Sequence, residues 1–408
     1  MVKPMGPIPA GFAADSDGML LIGGRRADAL VAEAGDTPLF VYDLGLVDAK
    51  IARFRAAFGY VHLHYAIKAN SYRPLLRHIS RQVDGLDIAS GGELRFALEA
   101  GADPAAISFA GPGKRDSDLA AAIEAGVTLN CESEGEVERA LAISSRARLA
   151  VRVNPDFEIK GSGMRMGGGA KPFGVDAERV PALVRRILAA GADWRGFHIF
   201  AGSQALDPQA LIDAQAATVA LAAELAAEVG ATPPLVNLGG GFGIPHFHGE
   251  KPLDIECVSA ALSPTSAARP AILHDTQFAI ELGRWLVGEC GVYLTRIVDR
   301  KVSHGKTFLV ADGGLHHQLA ASGNFGQVVR RNYPVAIASR FAAAPEEEVS
   351  ITGCLCTPLD RLADDVMTPR AEVGDLVAIF LAGAYGLSAS PQAFLAQAPA
   401  RELLVGGD

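Results

Sequence analysis

Eight short apolar runs, at residues 62–68, 84–90, 107–112, 128–133, 147–154, 196–203, 235–241 and 278–283, recur along the middle of the chain. Helical periodicity separates most of them, clearest at 91–100, 116–125, 134–145, 178–190 and 211–229, the last Ala-rich and amphipathic. Strands that alternate with helices pair in parallel through right-handed crossovers. Eight such units predict a (β/α)8 barrel of the TIM type, with the helix at 46–58 supplying the eighth helix. An open, doubly wound sheet is the competing reading.

Beyond residue 283 the pattern changes. The runs at 292–298, 307–310 and 376–380 are β-like with few helices between them, which predicts a second, mostly β domain. Met19–Ile22 and Thr37–Tyr42 also read as strands. They have no place in a closed barrel, so they are expected to pair into the β domain. The expected division is 1–45 for these N-terminal strands, 46–282 for the barrel and 283–408 for the β domain.

With 408 residues, 49% of them hydrophobic, the chain can bury the core of two domains. Its net charge of −9 argues against general binding to nucleic acid or anionic membranes. No apolar run reads as long enough to span a bilayer. The first twenty residues carry Asp15 and Asp17 and lack a basic start, so a cytoplasmic location is expected. Cys131, Cys257, Cys290, Cys354 and Cys356 lack the paired spacing of a zinc site, and no metal is expected.

In a barrel the chemistry sits at the C-terminal ends of the strands. The first run ends on Lys68, in Tyr65-Ala66-Ile67-Lys68-Ala69-Asn70, where an amine suits a covalent link to a cofactor aldehyde. A solvated cap is the plain alternative for such a lysine. The second run gives Asp87 to Ser90 with Glu93 beyond, and the fifth gives Arg152 and Asn154. The sixth carries His198, then Gly202-Ser203, and a flat imidazole there can stack on a ring or simply be a core histidine.

The seventh run ends in Gly239-Gly240-Gly241-Phe242-Gly243, whose backbone N–H groups can approach an anion closely. Glu281 lies within the apolar run Phe278–Leu282, and a carboxylate there needs a partner, either a protonated pyridine nitrogen or Arg152. Arg284 follows and can supply phosphate charge. The Gly-rich stretch 160–174 is a candidate lid. In the β domain, Cys354-Leu355-Cys356-Thr357-Pro358-Leu359-Asp360 and Tyr385, set between small residues, stand out.

Together these motifs resemble the fold-type III, pyridoxal-phosphate-dependent decarboxylases of ornithine, arginine and diaminopimelate. The lysine motif, Asp87-Ile88-Ala89-Ser90-Gly91-Gly92-Glu93, the triple glycine and Glu281-Leu282-Gly283-Arg284 carry the resemblance over nearly the whole chain. Phe197–Gln204, Gly161–Met164, Ala320–Gln327 and Cys356–Asp360 resemble the exosortase A system-associated members, found near exopolysaccharide loci. They also resemble a decarboxylase of glutamate carried on an acyl-carrier protein.

That resemblance implies pyridoxal 5'-phosphate linked to Lys68, with His198 stacked on its ring and Glu281 at the pyridine nitrogen. Ser203, Gly240, Gly241, Arg284 and Tyr385 would hold the phosphate, with Asp87, Glu93, Arg152 and Gly283 completing the cofactor set. Cys356 would donate a proton to the reacting carbon. Arg284, Tyr333, Thr357 and Asp360 would line the substrate side. A homodimer with shared sites is implied in the same way.

One position departs from the family pattern. Diaminopimelate enzymes place Glu after the cysteine and ornithine-type enzymes Asp, and both acids suit a distal ammonium. Thr357 stands there in this chain. A hydroxyl lacks the charge such an ammonium prefers. The expected activity is α-decarboxylation of an amino acid or a carrier-tethered derivative. The rival readings are diaminopimelate decarboxylation proper, an amino-acid racemase using Tyr333, and a noncatalytic cofactor carrier.

Overall fold

The computed structural model describes residues 2–158, 164–165, 168–262, 269–325, 327 and 329–407. Two compact units emerge: one from Ile51–Ile244 and Pro252–Gly283, the other from Met1–Lys50, Pro245–Lys251 and Arg284–Asp408.

The first unit is a closed parallel barrel. Its strands are β1 (His62–Ala66), β2 (Gly85–Ile88), β3 (Ile107–Phe109), β4 (Thr128–Cys131), β5 (Arg148–Asn154), β6 (Asp193–Ile199), β7 (Leu235–Asn237) and β8 (Gln277–Leu282). Each pairs in parallel with the next, and β8 pairs with β1, so no edge remains. A short strand, Val175–Asp176, adds to the end of β5.

The strands are shorter than the apolar runs suggest, because the last residues of several runs leave the ladder. Lys68 illustrates this. β1 stops at Ala66, and Lys68 sits in the 3-10 turn Ile67–Ala69, its side chain 47% exposed. The ladder register also breaks once, at a bulge between Trp194 and Gly196 on β6. Gly196 has φ +107, and a Cβ there would lie 1.9 Å from the Leu235 carbonyl oxygen, so only glycine fits. Past the bulge, His198 lies opposite Arg152 on one side and Asn237 on the other.

Helices cover the barrel where the periodicity predicts them. Gly91–Glu99 and Glu134–Ile143 are capped by Ser90 and Ser133, whose hydroxyls accept from the third backbone N–H. Between them, buried Lys114 donates to Gly111 O (2.7 Å), Asn130 O (3.0 Å) and Glu136 Oε1 (2.7 Å), tying the ends of β3 and β4 together. Removing either charge of such a pair costs about 3–5 kcal/mol.

Pro208–Val229 corrects the reading that no segment could span a bilayer: this 22-residue helix is long and apolar enough by length and composition. Its apolar side, including Leu211, Ala222 and Leu225, is buried within the barrel unit, as in a core helix of a globular protein.

The second unit is mostly β. The long strand Gly291–Ser303 pairs with Leu376–Ile379, with Lys306–Ala311 and with the N-terminal strand Leu39–Asp43. The C-terminal strand Arg401–Val405 adds in parallel beside Leu39–Asp43. Leu20–Ile22 instead joins Ala13–Ala14 and Arg25–Arg26 in a small sheet of its own. Phe40 and Tyr293, with ring centroids 4.7 Å apart, are fully buried in this unit's core.

Candidate active site

The strand ends of the barrel gather one charged constellation. Glu281 on β8 is buried, and its Oε2 lies 2.8 Å from His198 Nε2 on β6. Its other oxygen, Oε1, is 3.8 Å from Lys68 Nζ. Burial alone would push the Glu281 carboxyl up. The His198 hydrogen bond and the His198, Lys68 and Arg152 charges outweigh that and hold it well below the usual range, so Glu281 is ionised. Lys68 Nζ also lies 5.4 Å from the Phe200 ring centre.

The supporting polar groups are placed from neighbouring strands. Arg152 Nη1 on β5 donates to Glu132 Oε1 at 2.8 Å, in a pair almost completely buried. Glu132 also accepts from the Gly111 and Gly174 N–H groups, so one carboxylate fixes Arg152 and two loop ends. Asp87 on β2 accepts from the Ser108 hydroxyl and lies 3.4 Å from His64 Nδ1. Glu93 accepts from the Ala89 N–H at 2.6 Å, and burial pushes its carboxyl up.

The triple glycine leaves β7 at Asn237. Gly239 and Gly241 have φ +69 and +81, and a Cβ on Gly240 would sit 1.8 Å from the Glu281 carbonyl oxygen. Gly241 O accepts from Ala205 N–H at 2.8 Å, which brings the segment after Ser203 against the glycine turn. Ser203 itself is not on β6. It lies in a two-residue strand, Gly202–Ser203, paired with Met164–Arg165. Residues 160–163, 166 and 167 of the candidate lid, and with them most of the Gly161–Met164 motif, lie outside the described residues.

The other expected residues belong to the β unit. The Arg284 guanidinium stacks 4.6 Å from the Tyr385 ring centre and its Nη1 lies 3.3 Å from His246 Nε2. Tyr333 is buried beside them, with its ring centre 5.3 Å from that of His246. Burial pushes the Tyr333 hydroxyl up, against the opposing effect of Arg284. Arg284, Tyr333 and Tyr385 thus form one cluster, and sequence reasoning missed its fourth member, His246. Cys356 is exposed, whereas Cys354 is partly buried and its thiol is pushed up by that burial. Asp360 is turned inward, accepting from the Leu315 N–H (2.6 Å) and the Leu355 N–H (2.8 Å).

Glu132, Phe200 and His64 were also missed. Glu132 follows β4 directly, so the strand-end rule applied to that run would have found it.

These residues fit a phosphorylated pyridine aldehyde. An ionised, buried carboxylate is available for a protonated ring nitrogen, and His198 Nδ1 is buried without a partner. A side-chain-free turn is available for phosphate.

The model of the pyridoxal-binding domain of pyridoxal-dependent decarboxylases matches residues 44–288. The L-glutamyl-[BtrI acyl-carrier protein] decarboxylase of Niallia circulans is 35% identical over 380 residues, covering 90% of this chain and 89% of that protein. The diaminopimelate decarboxylase of Archaeoglobus fulgidus is 32% identical over 403 residues, covering 96% of this chain and 93% of that protein. The solved diaminopimelate decarboxylase of M. jannaschii in complex with L-lysine superposes with a TM-score of 0.87 at 26% identity, covering 97% of this chain and 93% of that one. With the domain model covering more than half of the chain and these relatives matching nearly all of it, the chain belongs to the pyridoxal-dependent decarboxylases of fold type III and is a pyridoxal-phosphate-dependent carboxy-lyase.

Proposed function

We propose that this decarboxylase acts on an α-amino acid whose far end carries no free ammonium, with a carrier-tethered acidic amino acid as the preferred form. The supporting observation is the segment after Cys356. Thr357 stands where family members that read a distal amine place an acid. The nearby carboxylate of Asp360 is committed to two backbone N–H groups instead. The Niallia circulans relative, named for glutamate on an acyl-carrier protein, supports the same direction.

When bound, pyridoxal phosphate supplies the electron sink that takes up the pair left by departing carbon dioxide. Lys68 would hold the cofactor through its aldehyde and would give up that link to the substrate amine and regain it when the product leaves. Glu281 keeps the ring nitrogen protonated through its fixed negative charge. His198, held at Nε2 by Glu281, offers its imidazole face to the ring. Asp87, Glu93 and Arg152 orient these groups. The N–H groups of Gly240, Gly241 and Gly283, the Ser203 and Tyr385 hydroxyls and the Arg284 guanidinium are assigned to the phosphate.

Cys356 donates the proton that replaces carbon dioxide on the substrate carbon. Arg284, Tyr333 and Thr357 border the substrate, while Asp360 acts by bracing the cysteine loop. A homodimer and a cytoplasmic setting, near exopolysaccharide chemistry, complete this reading.

Thr357→Glu tests it. The substitution is expected to raise decarboxylation of diaminopimelate at least tenfold. Unchanged or lower turnover would remove the specificity argument.

A further inference from the structure

We propose that the opposite, N-terminal mouth of the barrel binds a small dianion, a phosphate-bearing or dicarboxylate metabolite, between Arg148 and Arg195. Barrel interiors are ordinarily filled by bulky branched side chains. In this barrel Ser108, Asn130, Ala150 and Asn237 put small or polar side chains below the catalytic layer, beside the bulkier Ile107, Phe197 and Leu235. They leave a cavity of about 310 Å³. That volume suits a small metabolite.

Arg148 opens β5 and Arg195 lies near the start of β6, at the ends of the strands remote from Lys68. Both line the cavity, and both carry a buried Nε with no hydrogen-bond partner. Arg148 spends its Nη1 on Gly126 O (2.9 Å) and its Nη2 on Ala105 O (3.1 Å), which fixes the guanidinium in place. Burial, and then the charge of Arg195 on the neighbouring strand, makes the protonated form of Arg148 less favourable than usual.

The acids nearby offset this only in part. Asp193 forms an ion pair with each arginine, 3.8 Å from Arg148 Nε and 3.5 Å from Arg195 Nη1, and leaves both Nε–H groups without a hydrogen bond. Asp84 is engaged by Arg55 and by the Leu63 N–H, and Asp103 accepts from the Ala105 N–H. His62, also at the mouth, is held below its ordinary value by burial, which favours the neutral ring. A dianion would take up the unpartnered Nε–H groups, while its body meets the amides of Asn130 and Asn237.

Isothermal titration of the cofactor-loaded protein with inorganic phosphate, and separately with succinate, tests this, because the catalytic phosphate site is then filled. Saturable 1:1 binding is expected, weakened at least tenfold in Arg195→Gln. That variant leaves the Arg148 backbone bonds in place, and its melting temperature and cofactor absorbance report that the fold and catalytic site persist. Binding of phosphate alone supports a phosphorylated ligand, and binding of succinate alone supports a dicarboxylate. No saturable binding of either, or equal affinity in Arg195→Gln, overturns the proposal.

Discussion

His198 Nε2 and Glu281 Oε2 lie 2.8 Å apart across the barrel mouth, joining β6 to β8 through side chains 83 residues apart in sequence. The contact keeps a buried carboxylate ionised and fixes the edge of an imidazole at once. Either residue alone would be a poor choice for a barrel interior. Together, with Lys68 nearby, they form a preset electrostatic site.

Replacing Glu281 by Gln keeps the shape and removes the charge. Turnover is expected to fall roughly a hundredfold or more, the scale on which single preorganised electrostatic groups act. Cofactor absorbance should persist, because Lys68 is untouched. Loss of cofactor binding together with activity would assign Glu281 a structural task instead.

The cysteines should separate by environment. Burial pushes the Cys131 and Cys290 thiols far up, so they are inert. Cys257 and Cys356 are exposed. Iodoacetamide is expected to label these two first and to abolish turnover. In a Cys257→Ser background, peptide mapping should tie the loss of activity to Cys356 alone. Full activity with Cys356 alkylated would contradict its place as proton donor.

His64 gives the fold a pH dependence whose sign is fixed. Burial lowers its pKa, but Asp87, through charge and hydrogen bond, with Glu281 and Asp84, raises it on balance. A raised folded value means the stabilisation is complete below the unfolded histidine pKa and is lost as pH rises through the folded one. Removing this charged hydrogen bond with His64→Asn is expected to cost about 1–3 kcal/mol at pH 6 and less at pH 9. Urea denaturation at the two pH values measures the difference, and an equal loss at both would contradict the charged pair.

The barrel and much of its site are legible in the sequence because both follow from local pattern. Alternating strands and helices imply the barrel, and the barrel rule turns strand ends into a list that holds Lys68, Arg152, His198 and Glu281. What stayed hidden depends on distant pairings without local periodicity. Glu132 was within reach of the strand-end rule, but its bond to Gly174, 42 residues on, was not, and His246 reaches Arg284 across 38. The inward turn of Asp360 was hidden for the same reason, since its partner Leu315 lies 45 residues away. The β6 bulge is set by one crowded glycine rather than by any hydrophobic period, so no pattern marks it.

The most direct measurement is carbon dioxide release by the cofactor-loaded protein from glutamyl-carrier protein and from diaminopimelate, side by side. The account predicts a kcat/KM for the tethered glutamyl substrate at least a hundredfold above that for diaminopimelate. Preference for diaminopimelate would contradict it, and would mean that Thr357 and the inward Asp360 do not govern what this decarboxylase accepts.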